Sequence, residues 1–196
     1  MEQIILASSS PRREEYFRLL GLPFITVAPE VDETFDPNKD ARYNVERLAV
    51  KKVSKVIETH AADNPLWICG ADTVVTLKGK IFGKPNNRDE AREMLLALEG
   101  NTHEVISAVA LFNRRTDTID CRSRAADVSF GRIREKEIEW YLDSGEWQDA
   151  AGAYKIQGLA SCFAYRIEGS YSAIVGLPLR DFYVMLRDNG YLYGAS

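Results

Sequence analysis

Residues 103 to 113 ("HEVISAVALFN") and 118 to 130 ("TIDCRSRAADVSF") form two long runs of strand character joined by the polar turn "RRTD". Strands of that length require a sheet to pair with. The helical and strand segments elsewhere alternate without a strict βαβ rhythm, so the sheet is expected to be mixed. The fold expected is α/β, with helices packed around that sheet.

The remaining segments can be placed by their periodicity. An apolar run at Ile4, Ile5 and Leu6 leads into "ASSSPRREEYF", which reads as strand, turn and helix start. Ser10 suits the N-cap and Pro11 the first helical position, where a missing N–H costs nothing. This helix carries Tyr16, Phe17 and Leu20 on one side and stops at Gly21. Residues 23 to 39 are irregular and acidic. From about 41 to 61, Val45, Leu48, Ala49, Val53, Val56 and Ile57 recur at three and four, the spacing of an amphipathic helix. "LWIC" (66 to 69) and "VVTL" (74 to 77) are short apolar segments on either side of "GAD", with a hairpin turn expected at Lys78-Gly79. Helices are expected over 89 to 98, 134 to 143 and 179 to 188, and a strand over 162 to 168. No repeat, linker or domain boundary is visible, so residues 1 to 196 are expected to form a single domain.

Composition narrows the partners. A net charge of -4 argues against general binding to nucleic acid or anionic membranes, which calls for a basic face. No stretch approaches the ~20 apolar residues of a membrane span, and a basic leader with a long apolar run is missing. A cytoplasmic protein is expected. Cys69, Cys121 and Cys162 are odd in number and set in apolar sequence, and are expected to be buried free thiols. With only His60 and His103 available, a thiol or imidazole metal site is not expected.

Four segments combine glycine or small residues with charge. In "SSSPRR", the hydroxyls of Ser8, Ser9 and Ser10, the helix N-terminus and the guanidiniums of Arg12 and Arg13 have the ingredients of a phosphate site. Two cations are otherwise out of place at the positive end of a helix dipole. Pairing with Glu14 or Glu15 is the simpler alternative. In "CGADTVV", Asp72 follows an apolar strand. A carboxylate there needs a metal, a donor or a substrate, unless it forms an Asx-turn. "FGKP" presents Lys84 from a stiff turn, with plain solvation as the simpler alternative, and "AAGAYKIQG" offers Tyr154 and Gln157 between small residues that a tight strand crossing explains equally well. Glu46, Arg47, Lys51 and Lys52, read locally, belong to the solvated face of the long helix. No P-loop, G-x-G-x-x-G or kinase pattern is present.

In this order, "ASSSPRR", "ERLAVKK", "GADTVV", "GKP", "LEGNTHEV", "AGAYKIQG" and "GSYSAIVGLPL" resemble the Maf family over nearly the whole chain. The resemblance implies an elongated mixed sheet, two lobes around a central cleft and a fold related to inosine-triphosphate pyrophosphatases. It also implies hydrolysis of a nucleoside triphosphate to the monophosphate and pyrophosphate with Mg²⁺ or Mn²⁺, in a family also known as septum-formation inhibitors, and a homodimer. Gln157 is the residue of the dTTP/UTP branch, where the 7-methyl-GTP branch carries Glu. By the same resemblance Asp72 is catalytic, Arg12, Thr73 and Gln157 select the base, and Arg13, Lys52 and Lys84 serve the phosphates. Glu33 is a further acidic position, expected with Asp72 to hold the metal. Two positions depart from the family pattern: Ala150, where it usually writes Lys, and Asn101, often Lys or Gln.

The expected chemistry is attack of water at the α-phosphorus. Whether Asp72 is general base or metal ligand is open at this level. The alternatives are a nucleotide-binding regulator of cell division without turnover, or a pyrophosphatase for 7-methyl-GTP or ITP.

Overall fold

The computed structural model describes residues 1–191. Seven strands form one mixed sheet: β1 (Ile4–Ala7), β2 (Phe24–Thr26), β3 (Trp67–Leu77), β4 (Lys80–Phe82), β5 (Thr102–Asn113), β6 (Thr118–Phe130) and β7 (Ala164–Gly169). Six lie in the order β2-β1-β3-β5-β6-β7, and β4 pairs with β3 off this path. β1 is parallel to both β2 and β3, while β3–β4 and β6–β7 are antiparallel. The expected mixed α/β architecture is present. The helices are α1 (Pro11–Leu19), α2 (Ala41–Thr59), α3 (Arg88–Leu98), α4 (Glu135–Asp143), α5 (Tyr171–Val175) and α6 (Leu179–Asp188). None among the described residues is long and apolar enough to cross a membrane.

The chain divides into two compact units. Of the described residues, one comprises 1–72, 107–124 and those from 176 on, the other 73–106 and 125–175. In the first, Ile4 and Leu6 of β1, Trp67, Cys69 and Ala71 of β3, and Val109 and Leu111 of β5 pack with Phe17 of α1 and Phe182, Met185 and Leu186 of α6. Side chains alternate across a strand, so Gly70 and Asp72 face the other way. There α2 lies against the sheet: an added Cβ at Gly70 would meet Ala49 O and Val53 Cγ2 at 2.8 Å each.

In the second unit, α3 and α4 are joined by Arg88 and Arg92, which each reach Glu139 at 2.7 Å. The β3–β4 turn places Lys78 at φ 51° and Gly79 at φ 82°, the paired positive φ of a tight two-residue hairpin. His103, Phe130, Tyr154 and Phe163 form an edge-to-face aromatic group beneath the segment 150–158.

Several expectations need correction. The region 23 to 39 is not wholly irregular, because Phe24–Thr26 adds a parallel strand beside β1. The segments on either side of "GAD" are one continuous strand, β3. Gly70 is held extended by the ladder to β1, and Asp72, beyond the end of that ladder, is buried within the strand, so neither takes up its turn preference. Cys162, expected to open the last strand, ends a 3₁₀ turn (Leu159–Cys162) before β7 begins. All three cysteines are free, but only Cys69 is buried. Cys121 lies on the half-exposed stretch of β6, and Cys162 at that turn is exposed.

Candidate active site

α1 begins where expected, with Ser10 at the cap position in an extended conformation. The Ser10 hydroxyl makes no capping bond. Its N–H donates instead to Ser8 Oγ at 3.1 Å. Arg13 turns away from solvent: its Nη1 donates to Ser8 Oγ at 3.0 Å and its Nε to the carbonyl of Gly176 at 2.9 Å. Glu14 pairs with Arg18, one turn on, at 2.6 Å. Burial lowers the pKa of the Arg13 guanidinium, opposed by the charges of Asp72 and, more weakly, Glu33, while Arg12 adds to the lowering. An arginine remains charged under such a shift. Its buried charge is therefore set against two carboxylates of the same unit.

Those carboxylates converge on Lys52. Its Nζ lies 2.6 Å from Asp72 Oδ1 and 2.7 Å from Glu33 Oε1. Lys52 and Asp72 are each 8% exposed, whereas the Glu33 side chain is half open to water. The solvated reading of Lys52 fails because 52 falls in the stripe 45, 48, 49, 52, 53, 56 that α2 buries. The Asx-turn reading of Asp72 fails because the residue is mid-strand, with an ammonium as its donor. Gly70 explains how the two meet: without a Cβ there, the α2 backbone approaches β3 closely enough for Lys52, beside Val53, to reach Asp72, two residues on and on the same face.

In the first unit, then, Ser8, Arg13, Glu33, Lys52 and Asp72 form one hydrogen-bonded and charged group. Ser9 is exposed and Ser10 and Arg12 are half-buried. The Gly176 carbonyl that fixes Arg13 is a participant that sequence reasoning missed. It lies 163 positions away and carries no side chain to signal it.

Thr73, Lys84 and Gln157 belong to the second unit. Lys84 is exposed, 3.8 Å from Asp149. Its turn is tied to the segment 150–158 by a hydrogen bond from Gly152 N–H to Gly83 O at 3.0 Å. That segment is held along its length. Gly152 sits at φ +68°, where an added Cβ would be 2.8 Å from Val75 Cγ2. Tyr154 Oη meets His103 Nε2 at 2.8 Å, Lys155 N–H donates to Tyr141 Oη at 3.2 Å, and Leu159 N–H donates to a Glu146 carboxylate oxygen at 2.8 Å. The backbone on either side of Gln157 is thus anchored while Gln157 itself is exposed.

The model of the family described as "Maf-like protein" matches residues 3–189, a span that runs through both units. The chain belongs to the Maf family. A dTTP/UTP pyrophosphatase of Hahella chejuensis is 43% identical over 188 residues, 96% of this Maf chain and 92% of that one. Another of the same description, from Bacillus cereus, is 44% identical over 179 residues, 91% of each chain. Among solved structures, a nucleoside-triphosphatase (dITP/XTP pyrophosphatase) from Mycobacterium abscessus aligns with 94% of the Maf chain and 93% of its own at TM-score 0.46 and 14% identity.

The two departures from the usual Maf pattern also have structural positions. Asn101 donates to the carbonyls of Ala97 and Glu99 at 3.2 and 2.9 Å, satisfying the C-terminal end of α3. Ala150 is 1% exposed. The Asn101 amide donor is thus engaged within its own turn, and Ala150 carries none.

Proposed function

We propose that this Maf chain hydrolyses dTTP and UTP to the monophosphate and pyrophosphate. The observation that carries this reading is the charged group in which buried Arg13, Lys52 and Asp72 meet the half-open Glu33, supported by the description of relatives 43–44% identical over nearly the full length. Its two cations are balanced by two carboxylates. A triphosphate with about four negative charges therefore needs further positive charge.

A divalent cation fits the donors. No group of three His, Cys, Asp or Glu side chains is placed to hold a metal among the described residues. Two carboxylates, Asp72 and Glu33, do converge within reach of a single ammonium nitrogen. Mg²⁺ and Mn²⁺ prefer hard oxygen donors, and Mg²⁺ is commonly held by one or two carboxylates together with substrate phosphates. Asp72 and Glu33 would hold the ion. When bound it supplies charge neutralisation and favours deprotonation of the attacking water.

The chain's own residues do the rest. On binding, Lys52 transfers its hydrogen bonds from Asp72 and Glu33 to phosphate oxygens. Asp72, released from the ammonium, accepts the proton of the water that attacks the α-phosphorus. The bond to the α,β-bridging oxygen breaks and pyrophosphate leaves with its charge met by Arg13, Lys52 and Lys84. Gln157 offers one donor and one acceptor to the pyrimidine edge, whose N3–H stands beside a carbonyl oxygen. Arg12 and Thr73 complete base selection, and Ser9 and Ser10, at the start of α1, add donors for phosphate.

The deciding experiment measures pyrophosphate release from dTTP, UTP, ITP and 7-methyl-GTP with Mg²⁺ or Mn²⁺, and the fate of ¹⁸O-labelled water. Release from the two pyrimidine nucleotides, with label in the monophosphate, is expected. Nucleotide binding without pyrophosphate release would overturn the enzymatic reading in favour of a regulator, and label in pyrophosphate would overturn attack at the α-phosphorus.

A further inference from the structure

Glu33 sits on a segment without regular structure, yet that segment is fastened to α2 at successive points. Asn44, fully buried, accepts from Asp36 N–H at 2.7 Å and donates to the carbonyls of Asp36, Lys39 and Asp40 at 3.0, 3.3 and 2.9 Å. Arg47 donates to Thr34 O at 2.5 Å, and Lys51 to Asp32 O at 2.8 Å. Asp32 Oδ1 in turn accepts from the N–H and hydroxyl of Thr34. Positions 44, 47 and 51 share one face of α2. Asn44 reaches back as far as residue 36, Arg47 to 34 and Lys51 to 32, in reverse order. The helix advances about 10 Å over seven residues while the segment runs back about 13 Å over four, so the two are commensurate.

Glu33 lies between the two carbonyls that the cations hold, and its own side chain goes to Lys52, the residue after Lys51. We infer that Asn44, Arg47 and Lys51 form an antiparallel clamp that sets the position of Glu33, and so act as positioning residues for a divalent cation. A glutamate on a free loop would lose chain entropy each time it bound an ion. Fastening both neighbouring carbonyls to a helix removes that cost before binding. The inference rests on the proposed role of Glu33 as a metal ligand, and its test separates the two.

The test uses the full chain with Arg47→Met, which keeps the stem and removes the donors, together with Arg47→Lys, Lys51→Met, Glu33→Gln and the Arg47→Met/Glu33→Gln double variant. Without metal or nucleotide, amide hydrogen exchange in the 31–36 segment is expected to accelerate about 10-fold in Arg47→Met, with α2 unchanged. With UTP, the Mn²⁺ concentration giving half-maximal pyrophosphate release is expected to rise about 10-fold in Arg47→Met and Lys51→Met. The rate at saturating Mn²⁺ should stay within about twofold, and Arg47→Lys should restore most of the metal affinity. In the Glu33→Gln background, Arg47→Met should add nothing.

Unchanged exchange in 31–36, or an Arg47→Met effect on Mn²⁺ that persists in full without Glu33, overturns the clamp. If Glu33→Gln alone leaves the Mn²⁺ requirement unchanged, the metal-ligand role of Glu33 falls, while the exchange experiment still decides whether the clamp exists. Should Arg47→Met prove unfolded, Lys51→Met supplies the same two readouts.

Discussion

Lys52 donates to Asp72 across 2.6 Å although the residues lie 20 apart in sequence, and each side chain is about nine-tenths withdrawn from water, at 10% and 11% exposed. Removing one member of such a pair leaves an uncompensated buried charge, which costs more than the intact pair contributes. Lys52→Met strands Asp72 and is expected to lower unfolding free energy by about 3 kcal/mol in urea titrations and to abolish pyrophosphate release. Asp72→Asn is expected to be far gentler on stability, because Lys52 keeps Glu33 and an amide oxygen. It should still reduce turnover at least about 100-fold, since the amide neither takes a proton nor carries charge. Turnover near the parent rate in Asp72→Asn would remove Asp72 from the mechanism.

Gly70 is expected to tolerate no side chain. Of the two atoms an added Cβ would meet at 2.8 Å, one is the backbone carbonyl of Ala49, which can move only with its helix. Gly70→Ala should cost about 1–3 kcal/mol as overpacking and reduce activity by more than the loss of folded protein explains, because α2 carries Lys52 away from Asp72. Val53→Ala in the same chain clears Val53 Cγ2 but leaves the carbonyl in place. Only partial recovery is expected, and full recovery would show that the helix backbone was not the obstacle.

That dependence on Gly70 also explains which parts of the molecule the sequence makes legible. Helices α1, α2 and α6 and the long strands β5 and β6 follow from local periodicity and from Pro11 and the glycines after helices, and they lie close to where those signals put them. β2 is not legible, since three residues become a strand only because β1 is there to pair with them. The residues of the site can be picked out, and by resemblance given roles, but their arrangement cannot. Seen locally, Lys52 is one more lysine on a charged helix and Asp72 a turn residue after glycine. Only the close approach of α2 to β3, a tertiary contact that a missing side chain permits, converts them into a buried pair. Arg13 is similar: its inward turn is set by a carbonyl at Gly176, and a backbone acceptor leaves no mark on composition or spacing.

Gln157 is exposed on an anchored segment, so changing its side chain should alter recognition without altering the fold. Gln157→Glu replaces the amide donor with a second acceptor and is expected to depress hydrolysis of dTTP and UTP while leaving the unfolding midpoint within experimental scatter. Two acceptors suit the cationic ring of a 7-methylguanine, so hydrolysis of 7-methyl-GTP relative to UTP should rise. Equal rates in variant and parent across these nucleotides would dismiss the side chain from base selection.

His103 gives the chain a characteristic acid sensitivity. It is 1% exposed, its Nε2 meets Tyr154 Oη, and its Nδ1 is buried with no hydrogen-bond partner among the described residues. Burial pushes its pKa down from 6.5 to about 4, so the folded protein holds it neutral. The unfolded chain binds the proton below about 6.5 and the folded chain does not until about 4. Between those values the unfolded state carries more protons, and stability must fall as pH falls. The slope from this one group approaches about 1.4 kcal/mol per pH unit within that window. His103→Gln keeps a polar neighbour for Tyr154 but cannot titrate. Urea unfolding of parent and variant from pH 4 to 7 should give curves that converge as the pH falls, the variant being less stable at pH 7 and losing less on acidification. Parallel curves would mean that His103 takes up its proton without opening the aromatic group around it.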